Sequence, residues 1–138
     1  MRLGRNQKAD LIRNVPLFTH CTKSELAELT KIADEIDVPE GKELTREGDR
    51  GREFFVLLDG NAVVRRGGRK VNQLGPGDFF GEIALVSRSP RTATVTTTTP
   101  ARLLVITGAS FKSLLEHQPK IQLRVLEALA DRLAPSAL

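Results

Sequence analysis

Residues 53–78 read Glu-Phe-Phe-Val-Leu-Leu-Asp-Gly-Asn-Ala-Val-Val-Arg-Arg-Gly-Gly-Arg-Lys-Val-Asn-Gln-Leu-Gly-Pro-Gly-Asp. Three short runs with apolar or β-branched residues, at 53–58, 62–66 and 69–74, are separated by Asp59-Gly60 and Gly67-Gly68 and followed by Gly75-Pro76-Gly77-Asp78. Asp-Gly between two such runs is a strong hairpin signal, because the favoured two-residue turns need positive φ. The same punctuation extends upstream, from Val38 onward, through Pro39-Glu40-Gly41 and Glu47-Gly48-Asp49. Downstream, two further strands are expected at 93–98 and 102–106, with the run Thr96 to Thr99 read as a strand edge that ends at Pro100. Many short strands with turn signals about every 8–12 residues predict an antiparallel sandwich or barrel.

On either side the period is helical. Residues 6–36 read as helices, broken by Pro16 and by a turn at Thr19 to Cys21. Thr22 and Glu25 have capping-box spacing, and Leu26, Leu29, Ala33 and Ile36 follow at steps of three and four, as on one face of a helix. After Thr107 the helical period returns over 110–118, and Pro119 then stands at a favourable first-turn position. The last helix carries Ile121, Val125, Leu126, Leu129 and Leu133, with Leu123 and Ala130 off that stripe, until Pro135 stops it. This face is wider than one sheet contact requires, so the helix reads as a cover for the β-roll or as a seam for a second copy or an effector. The expected organisation is one domain, 1–138, with N-terminal helices at about 6–36, a β-roll at about 37–107 and C-terminal helices at about 109–134.

Composition narrows the function. The 138 residues are 40% hydrophobic and 28% charged, with a formal net charge of +4, which suits a soluble, mildly basic domain with room for an anionic partner. The longest apolar stretches, such as Phe54 to Leu58, are far short of the ~20 residues that cross a bilayer. The N-terminus lacks the apolar core of a secretory signal, so a cytoplasmic location is expected. Cys21 is the single cysteine, which rules out an internal disulfide, and with only His20 and His117 beside it the soft ligands of a metal site are missing. That argues against a metal enzyme built on a β-barrel. All six aromatics are Phe, which disfavours a stacking platform for single-stranded nucleic acid.

The chemistry concentrates in residues 79–95, Phe-Phe-Gly-Glu-Ile-Ala-Leu-Val-Ser-Arg-Ser-Pro-Arg-Thr-Ala-Thr-Val. A turn or two of helix over 82–86 would place the amides of Ile83 and Ala84 at an N-terminus that favours an anion. Gly81 removes the Cβ where a ligand would approach the backbone. Further along, Arg91 offers a planar fork suited to two phosphate oxygens, with the Thr92 hydroxyl beside it. One anion-seeking Arg and one carboxylate, Glu82, fit a ligand with both a phosphate and a hydroxyl, such as a sugar phosphate. The default for isolated features is plainer. Gly60, Gly75 and Gly77 read as turn-makers, His20-Cys21 as a turn and His117 as a helix-end residue that complements the dipole. The group Arg65, Arg66, Arg69 and Lys70 at a Gly-Gly tip reads as a solvated loop, or, less simply, as a surface for an acidic partner.

This stretch resembles the phosphate-binding cassette of the cyclic-nucleotide-binding domain family of catabolite activators, protein kinase regulatory subunits and gated channels. The resemblance includes Phe80-Gly81-Glu82, Ile83-Ala84-Leu85 and Pro90-Arg91-Thr92-Ala93-Thr94. It extends through Gly41, Glu47-Gly48-Asp49, Phe55, Gly60 and 74–79, covering roughly residues 10–134. It implies a mainly β fold with flanking helices: an eight-stranded antiparallel β-roll, jelly-roll-like, with an N-terminal helical bundle, a cassette at 80–94 and C-terminal hinge and lid helices. By the same resemblance cAMP, or cGMP, is the ligand. Arg91 then binds the cyclic phosphate, Glu82 the ribose 2′-hydroxyl, and the amides of Ile83 and Ala84 beside Gly81 complete the nest. Thr92 contacts phosphate or purine, Val64 and Val71 lie along the base and sugar side, and Phe80 joins the ligand-binding set. The implied role is a non-enzymatic sensor that moves its C-terminal helices on binding and acts through a protein effector or a homodimer. Leu126, Leu129 and Leu133 are its candidates to cap the purine. With no recognition helix after Pro135, direct DNA binding is not expected, and the alternative is a ligand-free interaction scaffold of the same fold.

Overall fold

Two helices, α1 (Arg5–Arg13) and α2 (Lys23–Ile32), open the chain in this computed structural model, which describes residues 5–15, 18–81 and 90–133. The capping box forms as read: Thr22 Oγ1 accepts the Glu25 amide at 3.2 Å, and Glu25 Oε1 accepts the Thr22 amide at 2.7 Å. The helix does not continue to Ile36. Ala33 turns extended at φ −96° and ψ 124°, and Ala33–Val38 form strand β1, paired residue by residue with β8 (Ala101–Thr107). Steps of three and four fitted a helix locally, but the six paired positions of the ladder, from Ala33 opposite Ile106 to Val38 opposite Ala101, override them. The β region therefore starts at Ala33 rather than at about residue 37.

The remaining strands are β2 (Glu43–Thr45), β3 (Glu53–Asp59), β4 (Ala62–Arg66), β5 (Arg69–Leu74), β6 (Phe79–Phe80) and β7 (Thr94–Thr97). They form two four-stranded antiparallel sheets, ordered β1-β8-β3-β6 and β2-β7-β4-β5. The fold is thus a mainly antiparallel β-roll with flanking helices. Gly67-Gly68 makes the expected two-residue hairpin, with φ 59° and 77° between β4 and β5. Asp59-Gly60 does not make one. β3 pairs with β8 and β6, whereas β4 pairs with β5 and β7, so this turn is a corner at which the chain leaves one sheet for the other. The corner rests on the one that joins β7 to β8: the Asn61 amide donates to Thr99 Oγ1 at 2.9 Å, and the Thr98 amide to the Asn61 carbonyl at 2.9 Å.

The threonine run is likewise more than a strand edge, since β7 lies inside its sheet. Thr97, 2% exposed, accepts the Lys42 amide at 2.8 Å and donates to the Pro39 carbonyl at 2.7 Å, so its hydroxyl satisfies backbone groups that the loop would otherwise bury unpaired.

Alternation along β3 sorts the core into two layers. Phe54 and Val56 face the helices, with Phe79, Leu104 and Ile106; Phe55 and Leu57 face the roll interior, with Phe80, Leu103 and Val95. Phe18 joins the helical layer edge-on to Phe54, ring centroids 6.0 Å apart.

Thr107 caps α3 (Gly108–His117) by accepting the Ser110 amide at 3.1 Å, and α4 (Pro119–Leu133) follows, opened by its proline as expected. His117, the last residue of α3, has Nδ1 2.7 Å from the Ser113 carbonyl. Ile121 and Val125 of α4 are buried in the helical layer, while Leu126, assigned to the same stripe from sequence, is 62% exposed. The side chains of Leu129 and Leu133 lie outside the described residues. Arg124 reaches back to the first helices, its Nε 3.6 Å from Glu25 Oε1. Among the described residues no helix is long and apolar enough to cross a membrane.

Candidate functional site

Arg91 sits where the loop after β2 meets the segment leading into β7. The Gly48 amide donates to the Arg91 carbonyl at 2.9 Å, and the Arg91 amide donates to the Asp49 carbonyl at 2.8 Å. On either side, the Glu47 amide donates to Thr94 Oγ1 at 3.0 Å and Thr45 Oγ1 donates to the Ala93 carbonyl at 3.0 Å. The Glu47-Gly48-Asp49 turn is therefore what holds the Arg91 backbone, a local reason for that tripeptide.

The side chain is seated just as closely. One guanidinium nitrogen donates to the Glu53 carbonyl at 2.7 Å, and Cζ lies 5.9 Å from the Phe55 ring centroid. Phe55 in turn stacks on Phe80, centroids 4.8 Å apart and planes 14° from parallel. Two glycines make the room. A Cβ on Gly81, whose φ is +85°, would stand 2.7 Å from an Arg91 guanidinium nitrogen and 2.8 Å from the Glu53 carbonyl oxygen. A Cβ on Gly51 would overlap the same guanidinium at Nε and Cζ. A planar cation fixed this way, at the edge of an apolar interior, presents the geometry that recognises a phosphate or carboxylate.

Of the residues proposed from sequence, Gly81, Phe80 and Arg91 come together here. Val64 lies half-buried against the cluster that contains Phe55 and Phe80. Val71 is 50% exposed, at the register shift that pairs Val64 with Asn72 but Arg65 with Lys70. Thr92 is exposed, and its carbonyl accepts Arg66 Nε at 3.1 Å. Glu82, Ile83 and Ala84, with the short helix expected over 82–86, lie outside the described residues. Gly51 and the Glu53 carbonyl join the seat without a motif in the sequence to mark them. A backbone carbonyl leaves no trace in sequence, but a glycine two residues before a strand and outside the quoted turn signals is a readable hint at Gly51.

The fold and this seat define a class: a β-roll that holds an anion-recognising arginine where its loops converge. The chain belongs to the cyclic nucleotide-binding domain family, whose pattern matches residues 35–118. It is 41% identical over 106 residues to the cAMP-dependent protein kinase regulatory subunit of Mycosarcoma maydis, covering 70% of this chain and 20% of that protein. The N-terminal domain of a transcriptional regulator from Streptomyces coelicolor superposes with a TM-score of 0.80 at 31% identity, over 93% of this chain and 95% of that one. The regulatory domain of Toxoplasma gondii PKA, solved with cAMP, gives 0.74 at 29% identity, over 80% of this chain and 44% of that one. The chain spans less than two thirds of the length of the curated relatives it matches.

Proposed function

We propose that this chain is a non-enzymatic regulatory module that binds a cyclic nucleotide, cAMP or cGMP. Arg91 takes the cyclic phosphate and Glu82 the ribose 2′-hydroxyl. Gly81 and the amides of Ile83 and Ala84 form the rest of the nest. Thr92 borders it, while Phe80, Val64 and Val71 line the sugar and base side. The observation that carries the reading is the seating of Arg91 by Gly51, Gly81, Phe55 and the Glu53 carbonyl. An arginine held so closely has already lost the rotamer freedom that ligand binding would otherwise remove. The cAMP in the Toxoplasma regulatory domain and the cAMP dependence in the name of the Mycosarcoma regulatory subunit support the choice of nucleotide.

The output is a population shift of the C-terminal helices, which nucleotide favours only by binding one arrangement more tightly than the other. The helices act on a protein effector or on a second copy of the chain. A fluorescent cyclic nucleotide tests the reading: cAMP or cGMP is expected to displace it, 5′-AMP is expected to compete at least about tenfold less well, and Arg91→Leu is expected to abolish binding. Equal competition by 5′-AMP would contradict recognition of a cyclic phosphate.

A further inference from the structure

The β4–β5 hairpin carries Arg65, Arg66, Arg69 and Lys70 around Gly67-Gly68, and residues 62–74 contain no Asp or Glu. All four cations are exposed, and among the described residues none of them is in an ion pair. The register sets Arg65 opposite Lys70 and Arg66 opposite Arg69. Like charges directly opposite on an antiparallel ladder destabilise it, so local stability does not explain this placement. Because neighbours in a strand point to opposite faces, each face of the ribbon carries one pair of cations.

The tip is anchored from outside the hairpin. The Gly67 amide donates to Glu47 Oε1 at 2.9 Å, and Arg66 Nε donates to the Thr92 carbonyl at 3.1 Å. Glu47, an acid beside the tip, thus has one carboxylate oxygen on a backbone amide. We infer that the hairpin tip is a docking site for an acidic protein segment that clasps both faces of the ribbon. Guanidinium forks pair with carboxylates two bonds at a time, and three of the four cations are arginines. A bilayer is flat and would reach the cations of one face only. Duplex nucleic acid calls for a broad basic surface on one side, and single strands call for aromatic stacking partners, which the hairpin lacks. This inference stands independently of the nucleotide reading.

The test is fluorescence anisotropy of a labelled octaglutamate peptide with the whole chain in about 0.15 M salt. Wild type is expected to bind at least about tenfold more tightly than the double variant Arg65→Glu, Arg69→Glu. That variant sets an acid opposite Lys70 and another opposite Arg66, so its melting temperature is expected to equal or exceed that of wild type. The neutral pair Arg65→Gln, Arg69→Gln is expected to fall between the two in affinity. Reversal of Lys112 and Lys120 makes the same change in net charge away from the hairpin, and is expected to leave binding within about twofold of wild type. No binding by wild type, or equal loss in the Lys112 and Lys120 control, overturns the docking site. Tighter uptake by duplex DNA or by phosphatidylserine vesicles, with the same dependence on Arg65 and Arg69, overturns the acidic-protein assignment.

Discussion

Arg91 was legible in sequence because its neighbours Pro90 and Thr92, and Gly81 and Glu82 upstream, stood in a known order; its seat was not, because half of it is backbone. Two glycine variants separate the parts of that seat. Gly81→Ala forces a side chain into positive φ and onto the Glu53 carbonyl, and is expected to lower stability by about 1–3 kcal/mol in urea titration. Gly51 lies outside the positive-φ set, so Gly51→Val meets chiefly the Arg91 guanidinium. It is expected to weaken cAMP binding at least about tenfold while shifting the melting temperature by no more than about 4 °C. Unchanged affinity in Gly51→Val would show that the guanidinium position matters little.

Among the elements, the strands that sequence reading missed are β1, β2 and β6, and all three lie at sheet edges. An edge strand needs little apolar pattern: β1 reads Ala-Asp-Glu-Ile-Asp-Val and buries only Ala33 fully. The corner at Asp59-Gly60 was misread for a related reason. Local sequence specifies that the chain turns with positive φ, but whether the next strand pairs back or crosses over is decided by partners about forty positions away, at Thr98 and Thr99.

The joint between α2 and α4 makes two further expectations. Glu25 is 6% exposed and pairs with Arg124. Glu25→Gln keeps the Thr22 cap but strands the cation, and is expected to cost about 1–3 kcal/mol in urea titration, between the exposed and fully buried limits. Burial of Cys21, with the Glu25 carboxylate nearby, pushes the Cys21 thiol up to about 11 from an ordinary 9.0. Between those values the unfolded chain releases a proton that the folded chain keeps. Stability is therefore untouched below about pH 9 and falls as pH rises toward 11. Melting temperatures of wild type and Cys21→Ala across that range check the sign: the two curves are expected to diverge above pH 9, with wild type falling faster.

At the scale of the molecule, one sheet serves two layers. Its outer face belongs to the helical layer, which Ile121 and Val125 of α4 join, and its inner face carries Phe55 beneath Arg91 with Phe80 stacked on it. Phe54 and Phe55, adjacent in sequence, thus belong to the helical layer and to the site layer respectively. The helical layer that α4 joins and the proposed nucleotide site therefore lie on opposite faces of one sheet, through which the proposed movement of α4 would be coupled to nucleotide binding. The order helices, roll, helices could be read from the change of period alone, whereas the two-sheet topology depends on long-range pairing that no local window contains. Whether Arg91 binds a cyclic nucleotide is decided by calorimetric titration of the whole chain with cAMP and then cGMP, beside Arg91→Leu. Saturable binding at about micromolar Kd or tighter by wild type, lost in a folded Arg91→Leu chain, is the predicted result; no heat with either nucleotide from folded wild type, or undiminished binding by the variant, would contradict it.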